Sequence, residues 1–550
     1  MKLKEKFFEI LPLLILVNIF ALIFYVIKPS VESLYHYIPL VMITNLLIII
    51  LCFSINIKKI TKRFSSIRIT TWLLVFLILI MGFLLREFAA PHTHHLYFDE
   101  DIYLNIAQNI AHTGKSILCN YGMPAKCFEG ILNKQPHGLP SLISIIFFIF
   151  GTSENIAAFF MIIVSSLSIV LIFLAAYLLF RNEMVALLSA FILSLNPLSI
   201  FFAPTISAES LFVFFALTTT FSLLLFLEEK RFVNTILLAS SLAFTVQVRP
   251  EAPLLVIPLL IFIIKEKINK KIIISFALFL VLISPYAFHS NYFKNESWGN
   301  PEGNKFSSKY MGNNFEVNGK FFFNNEKFPV LYTIFAFFGI GYMISKRAFL
   351  KLSFLLVWFV LFFVIYLLFY AGSFNYGIDV RFSQTLFVPV FILAGAGAYF
   401  LSENLNKIVK KINISISIVI LLIILFFMPF IKFVSAVGEE AWDARTDHDF
   451  AMEAAKDLGA SCTIFTHVPS MFLLNGNNAL QTSYYSNSKV VNDIFINSKC
   501  VLFHEGYWCV NYKPFKDTVC KDLKEKFNLE AYRSITVKEK TYTLYKMAQK

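Results

Sequence analysis

Charged side chains are scarce in this sequence. They make up only 15% of the 550 residues, whereas hydrophobic residues make up 57%. Soluble domains carry about 25% charged residues, so an ordinary soluble fold is excluded. Apolar runs of about 20 residues recur, and such runs are long enough to cross about 30 Å of hydrocarbon. The sequence therefore predicts a protein embedded in the membrane lipid bilayer.

Several catalytic signatures are absent as well. The sequence has no glycine-rich phosphate loop, no nucleophile elbow and no His-Glu-x-x-His helix. Few acidic residues fall within apolar runs, which argues against a proton-coupled transporter. The net charge of +13 does not indicate a nucleic-acid partner, because Lys and Arg cluster in short loops between the apolar runs.

The basic loops orient the apolar runs, since cytoplasmic loops are rich in Lys and Arg. They predict a multi-pass protein of the plasma membrane with its N-terminus in the cytoplasm and its C-terminus outside. The run Leu139–Phe150 is too short for a crossing, and counting it would reverse the N-terminal part relative to the later basic loops. We therefore interpret it as an interfacial or re-entrant helix. The thirteen predicted spans are 8–27, 36–56, 70–89, 155–180, 184–203, 207–227, 232–249, 251–265, 271–289, 328–345, 351–371, 385–402 and 413–433.

The predicted fold class is an α-helical polytopic membrane protein with a small extracytoplasmic α/β domain at its C-terminus. Residues 1–69 hold two N-terminal spans, and residues 70–433 form the main membrane domain with a long outer loop over 90–154. Residues 434–550 form the soluble α/β domain. It mixes a helix, Phe450–Leu458, with strand-like runs such as Cys462–His467 and Cys500–His504.

Cysteine usage agrees with this orientation. Cys52 lies in a predicted span, and the other six cysteines fall on the predicted outer side. An even number in an oxidising compartment allows disulfides. Cys119 and Cys127 can staple the outer loop, and four cysteines can pair in the tail. Six free thiols are the alternative.

Three consecutive acids, Asp99, Glu100 and Asp101, stand at the predicted membrane surface. Carboxylates there are costly to desolvate unless they have partners or a task. Capping of the following helix, from about Ile102 to His112, explains one of them well and three poorly. These acids are therefore the first candidates for catalysis.

Histidines offer a metal hypothesis for the same loop. His92, His94 and His95, together with Asp101, are candidate ligands of a divalent ion such as Zn²⁺, Mn²⁺ or Mg²⁺. Their spacing matches no recognised metal site, and solvated loop histidines are the alternative.

Basic residues on the same predicted side are candidates for holding an anionic phosphate. Lys134 lies at the mouth of the interfacial helix, where a lysine ordinarily snorkels. If the acidic site has to hold an anionic lipid phosphate, Lys134 becomes a candidate phosphate ligand. Arg381, beside Asp379, is a second phosphate clamp. Glu209 and Arg249 lie at the start of a span and in a turn, and a structural Arg–Glu pair is their alternative role.

The order of these features resembles the C-type glycosyltransferases, in particular the protein O-mannosyltransferases and lipid A aminoarabinose transferases. The resemblance covers about residues 70–435. The two additional N-terminal spans within residues 1–69 depart from the family plan, in which the first span leads straight into the acidic loop. The matching features are Asp99-Glu100-x-x-Tyr103, a helix ending near Gly114, Lys134 with Pro136, Phe150-Gly151, Pro204 followed by Glu209-Ser210, and Arg249-Pro250-Glu251.

This resemblance implies a GT-C-like fold and a sugar transfer on the extracytoplasmic face. The donor would be a polyprenyl phosphate, dolichyl or undecaprenyl, carrying mannose or another hexose or pentose. The acceptor would be a protein, a glycan or a lipid. By this resemblance Asp99 is the base or orients the acceptor, Glu100 is the second acid, and Lys134 is the lipid-phosphate lysine, although Gln135 intervenes before Pro136.

Supporting roles go to Tyr103, Glu209, Arg249 and Asp379. A single in-line displacement would invert the anomeric carbon. Two other functions remain open: a transporter or flippase of lipid-linked precursors, and a non-catalytic assembly partner that binds through its tail.

Overall fold

The computed structural model describes residues 29–96, 98–124, 126–265, 270–293, 304–375, 377–436, 442–459 and 461–550, together with positions 18, 19, 22 and 26. The first predicted span, 8–27, lies almost entirely outside the described residues. Each of the other twelve predicted spans coincides with at least one apolar helix.

Among the residues that the structure describes, seven helices are long and apolar enough to cross a membrane, or eight if one bent pair is counted as a single span. Helix α4, which contains the predicted interfacial run, has 13 residues. The helices up to the middle of the chain are α1 (Val31–Arg63), α2 (Ile69–Phe88), α3 (Asp99–Thr113), α4 (Gly138–Phe150), α5 (Glu154–Phe180), α6 (Glu183–Ser194), α7 (Pro197–Phe201), α8 (Ala208–Glu228), α9 (Phe232–Val246), α10 (Val256–Lys265), α11 (Lys270–Leu282) and α12 (Ser284–Tyr292).

The second half of the membrane domain ends in a run of short and long helices. A 3₁₀ segment, Gly377–Leu386, leads directly into one of the buried helices. These helices are α13 (Met311–Phe321), α14 (Val330–Ser345), α15 (Phe349–Leu368), α16 (Phe387–Val409), α17 (Ile412–Phe427) and α18 (Ile431–Ser435).

The C-terminal residues add helices and strands on one side of the membrane domain. Helix α19 agrees with the predicted tail helix, and strands β3 and β5 agree with the two predicted strand-like runs. The helices are α19 (Trp442–Leu458), α20 (Ser470–Leu473), α21 (Ser488–Asn497), α22 (Tyr507–Asn511), α23 (Lys513–Phe515) and α24 (Lys521–Lys526). The strands are β1 (Leu118–Met123), β2 (Lys126–Ile131), β3 (Cys462–Thr466), β4 (Asn478–Gln481), β5 (Cys500–Glu505), β6 (Phe527–Val537) and β7 (Lys540–Gln549).

All seven strands belong to one sheet, in the order β2-β1-β4-β3-β5-β7-β6. The outer-loop hairpin β1–β2 therefore joins the sheet of the tail, where Tyr121 pairs with Leu480 and Gly122 with Ala479. Strand β3 runs parallel to β4 and β5, and the remaining pairs are antiparallel. We call the end of the membrane domain that faces this sheet the sheet side.

Three disulfides support the sheet side. Cys119 and Cys127 join β1 to β2, as predicted. The tail cysteines pair as Cys462–Cys500 and Cys509–Cys520. Cys52 is free and buried in α1. The disulfide alternative is therefore confirmed over six free thiols.

Candidate functional site

Five of the predicted site residues converge on the sheet side. Arg381 Nη2 donates to Asp99 Oδ2 at 3.0 Å, and Arg381 Nε lies 3.4 Å from Glu209 Oε1 and 3.6 Å from Asp379 Oδ1. Arg249 Nη1 donates to the same Glu209 oxygen. We call these five residues the charge cluster.

Local structure explains how distant chain segments supply these groups. Asp99 and Glu209 stand in the first turns of α3 and α8, where the helix dipole favours a negative charge. Arg249 lies in the turn after α9. Asp379 and Arg381 lie in the 3₁₀ segment before α16. The ends of four elements thus meet at one place.

Exposure separates the members of the charge cluster. The Asp99 side chain is 32% exposed, whereas Glu209 is 4%, Arg249 is 7% and Arg381 is 14% exposed. A reacting molecule can reach the Asp99 carboxylate more readily than it can reach the ion pairs beneath it. The buried pairs hold Arg381 in position for its contact with Asp99.

Three residues that the sequence did not single out as site residues complete this network. Arg249 Nε donates to Glu251, and the Tyr366 hydroxyl donates to the same Glu251 oxygen at 2.5 Å. The Phe382 ring lies 5.0 Å from the Arg249 guanidinium and 5.3 Å from that of Arg381. The Arg-Pro-Glu turn could have pointed to Glu251. Tyr366 lies at the end of an apolar run, and nothing in that run indicates a polar contact.

Glu100 points away from the charge cluster and is 1% exposed. Its Oε1 accepts from the backbone N–H groups of His95 at 2.8 Å and Leu96 at 3.1 Å. Its Oε2 accepts from the Ile206 N–H at 3.0 Å. The carboxylate therefore ties the loop before α3 to the turn before α8. Its predicted catalytic role stays a prediction.

Tyr103 links the charge cluster to the loop of Lys134. The Tyr103 hydroxyl donates to Gln135 Oε1 at 3.3 Å. Burial raises the pKa of Tyr103, and the nearby Asp99 and Glu209 carboxylates raise it further, so the hydroxyl stays protonated. The same loop is anchored where the Asn133 carbonyl lies 2.6 Å from His289 Nε2. Lys134 thus follows a fixed backbone position on the sheet side.

A second group of titratable side chains lies beside the first. His94 Nε2 is 2.5 Å from Glu154 Oε1, and His448 Nε2 is 3.6 Å from Glu154 Oε2 and 3.5 Å from Asp101 Oδ1. We call these four residues the histidine–carboxylate cluster. Ligand atoms of His94, Glu154 and His448 all lie within 4.8 Å of one another, a spacing that can hold a metal ion.

The two other predicted histidine ligands stand outside this group. His92 Nε2 lies 2.8 Å from the Glu87 carbonyl, and His95 Nε2 lies 3.0 Å from the Pro91 carbonyl. Burial lowers the pKa of His95 to about 4, so its ring is neutral at pH 7. Their metal-binding role stays a prediction.

Comparisons with known proteins bear on the fold. Residues 134–289 match the family described as dolichyl-phosphate-mannose-protein mannosyltransferase. No curated protein matches the chain. The apo structure of ArnT from Cupriavidus metallidurans is similar with a TM-score of 0.55 and 12% identity, covering 86% of this chain and 98% of that chain.

Two further solved structures are similar to this chain. ArnT from Cupriavidus metallidurans bound to undecaprenyl phosphate gives a TM-score of 0.55 at 12% identity, over 87% of this chain and 98% of that chain. The archaeal oligosaccharyltransferase AglB from Archaeoglobus fulgidus, in complex with an inhibitory peptide and a dolichol-phosphate, gives a TM-score of 0.48 at 13% identity. The match covers 80% of this chain and 70% of that chain. The predicted fold class and the predicted resemblance are confirmed.

Proposed function

We propose a specific transfer reaction for this chain, which has the fold of the C-type membrane glycosyltransferases. The family match and the fold indicate a membrane glycosyltransferase. In our proposal the chain moves mannose, or another hexose or pentose, from a polyprenyl phosphate to a hydroxyl of a protein, glycan or lipid. The observation that carries the proposal is the accessible Asp99 carboxylate held 3.0 Å from Arg381.

Asp99 is the proposed base. It is the most exposed member of the charge cluster, and the neighbouring Glu100 and Asp101 are buried. The acceptor oxygen attacks the anomeric carbon and its proton passes to Asp99. The bond between the anomeric carbon and the phosphate oxygen breaks, and the polyprenyl phosphate leaves with the electron pair. A single displacement of this kind inverts the anomeric carbon.

The leaving phosphate requires positive charge. The charge cluster with Glu251 holds four carboxylates and two guanidinium groups, a formal charge of −2. Such a cluster repels a phosphate unless another cation contributes, because like charges in a partly buried site interact strongly. We assign that contribution to Lys134, with Arg381 reaching the phosphate from the Asp99 side.

An apolar cavity supports the lipid part of the donor. It is lined by apolar side chains of α8, α9, α10 and α11. Val256, which lines it, follows Glu251 by a few residues. Phe226, which also lines it, lies near the opposite end of α8 from Glu209. In our proposal the isoprenoid chain lies in this cavity while its phosphate faces Lys134. Burial of each CH₂ contributes about 0.8 kcal/mol.

The ends of α8 support the proposed orientation. Glu209 of the charge cluster begins this helix, and Glu228 ends it beside Arg63 at 2.6 Å and Arg181. At about 1.5 Å per residue these ends are about 30 Å apart. The basic groups and the charge cluster thus lie at opposite ends of the membrane domain. With basic loops in the cytoplasm, the transfer site faces the extracytoplasmic side of the plasma membrane.

The test is a transfer assay on the purified full chain with defined polyprenyl-phosphate sugars. We expect Asp99→Asn to lower kcat by at least about 100-fold, the contribution typical of a general base. The matched control is Asp493→Asn, an exposed aspartate of α21, which should keep wild-type turnover.

Undiminished turnover in Asp99→Asn would contradict the assigned role. A wild-type protein that moves lipid-linked sugar across vesicles without transferring it would instead support the flippase alternative.

A further inference from the structure

The histidine–carboxylate cluster is assembled from four separate chain segments. His94 comes from the loop before α3, Asp101 from the first turn of α3, and Glu154 from the first residue of α5. His448 alone comes from the tail, on α19. The cluster therefore lies where the tail meets the membrane domain.

Hydrogen bonding leaves this cluster incomplete. Asp101 is fully buried, and neither of its carboxylate oxygens has a hydrogen-bond partner among the described residues. His94 is 2% exposed, and its two ring nitrogens also lack partners of ordinary hydrogen-bond geometry there. A buried carboxylate without donors is costly, and structures rarely leave one unsatisfied. The cluster therefore needs a further cation or hydrogen-bond donor to satisfy these atoms.

Spacing favours a metal ion as that group. Bonds of about 2.1 Å to a tetrahedral ion place its ligand atoms about 3.4 Å from one another. His448 Nε2 lies 3.5 Å from Asp101 Oδ1 and 3.6 Å from Glu154 Oε2, which is long for a hydrogen bond and close to this value.

Protonation of both histidines is the competing way to neutralise the two carboxylates. Nearby carboxylates outweigh the effect of burial at both rings, and they raise the pKa of His94 to about 9 and the pKa of His448 well above its ordinary value. However, the His94 and His448 rings stack with centroids 3.7 Å apart. Two imidazolium cations at that distance repel, whereas two neutral rings can both ligate one ion.

We propose that His94, Asp101, Glu154 and His448 bind one Zn²⁺ ion that clamps the tail to the membrane domain. Two imidazoles and two carboxylates form a nitrogen–oxygen set that suits Zn²⁺, whereas Mg²⁺ and Ca²⁺ prefer oxygen ligands alone. The two carboxylates balance the charge of the ion. Ligand atoms of His94, Glu154 and His448 lie within 4.8 Å of one another. Asp101, 3.5 Å from His448, is the proposed fourth ligand, which would give the number found in structural zinc sites.

The clamp acts on the transfer site through α3. Asp101 stands two residues after Asp99 in the first turn of this helix. An ion bound to Asp101 and to His448 fixes that turn against α19. The proposed zinc ligands are positioning residues, because Asp99 and not Asp101 contacts Arg381.

The experiment measures zinc in the tag-free, detergent-solubilised full chain, after dialysis against buffer containing zinc and then against metal-free buffer. We expect about one zinc per chain. His448→Gln and Asp101→Asn should each weaken zinc binding by at least about tenfold. His112→Gln, which changes an exposed histidine of the same helix, should retain the ion.

A second readout separates this clamp from the transfer reaction. Chelation should lower the thermal unfolding midpoint of the wild type, zinc should restore it, and His448→Gln should unfold at the same midpoint with and without zinc. Wild-type protein that retains no zinc would overturn the proposal. Retention of one zinc per chain by His448→Gln and Asp101→Asn would also overturn it. Both readouts are independent of sugar transfer, so a failed transfer assay would leave them interpretable.

Discussion

At the scale of single residues, three adjacent acids have three different surroundings. Asp99 faces Arg381, Glu100 accepts backbone N–H groups, and Asp101 lies beside His448. Successive residues of a helix point about 100° apart, because one turn takes 3.6 residues. Neighbours in the sequence therefore reach different partners. The resemblance pairs Asp99 with Glu100 as two catalytic acids, and the contacts distinguish them.

Glu100→Gln tests this distinction. An amide retains one acceptor but turns an N–H₂ group toward backbone donors, so we expect a loss of about 1–3 kcal/mol of stability. The thermal unfolding midpoint should fall, while kcat of the folded fraction stays within a few-fold of wild type. Glu530→Gln, at an exposed position on β6, is the control. A collapse of kcat with an unchanged midpoint would instead favour the predicted catalytic role.

At the scale of elements, glycines decide how closely two membrane helices approach. Helices α14 and α16 cross where a Cβ on Gly339 would overlap the Leu393 carbonyl, and a Cβ on Gly397 would overlap the Phe335 carbonyl. Small residues at such crossings allow backbones to touch. The 3₁₀ segment that carries Arg381 leads directly into α16. The crossing of α14 and α16 therefore helps to position Arg381.

A pair of substitutions on one helix measures that contact. Gly339→Ala should lower the unfolding midpoint, because overpacking ordinarily costs about 1–3 kcal/mol. Gly341→Ala adds its methyl group to open space two residues away, and alanine favours the helix by up to about 1 kcal/mol. Its midpoint should stay equal or rise. Equal loss in both variants would show that the close approach at the crossing does not control the effect.

At the scale of the whole molecule, the tail and the outer loop form one unit. The hairpin β1–β2 pairs with β4, and one apolar cluster contains Phe98 and Cys119 from the loop together with Phe450 and Leu502 from the tail. Residues separated by more than 300 positions thus share one core. A division of the chain at residue 434 cuts through this unit.

Removal of residues 442–550 should therefore damage more than the tail. It leaves β1 without β4 and uncovers the apolar cluster around Phe98, so we expect aggregation of the shortened chain. The measurement is size-exclusion chromatography in detergent, and co-expression of the missing part as a separate chain should restore a monodisperse complex. A monodisperse shortened chain would contradict the shared core.

The sequence by itself determined that the chain consists largely of membrane helices, and it named the members of the charge cluster and the outer-loop cysteine pair as candidates. Apolar run length predicts helices because hydrocarbon leaves every backbone polar group to be satisfied within the helix. Acids and arginines near the predicted ends of spans are rare enough in such a chain to mark candidate residues.

Only the tertiary structure decided which of these residues meet. The contact of Asp99 with Arg381 spans 282 positions, and no local pattern specifies a contact at that separation. The sequence does not mark His448, Glu154 or Tyr366 as site residues, because each looks ordinary within its own segment. Packing and the cost of leaving charges unpaired select the partners in a buried cluster. Both act only in the folded chain, so the sequence of one segment does not reveal them.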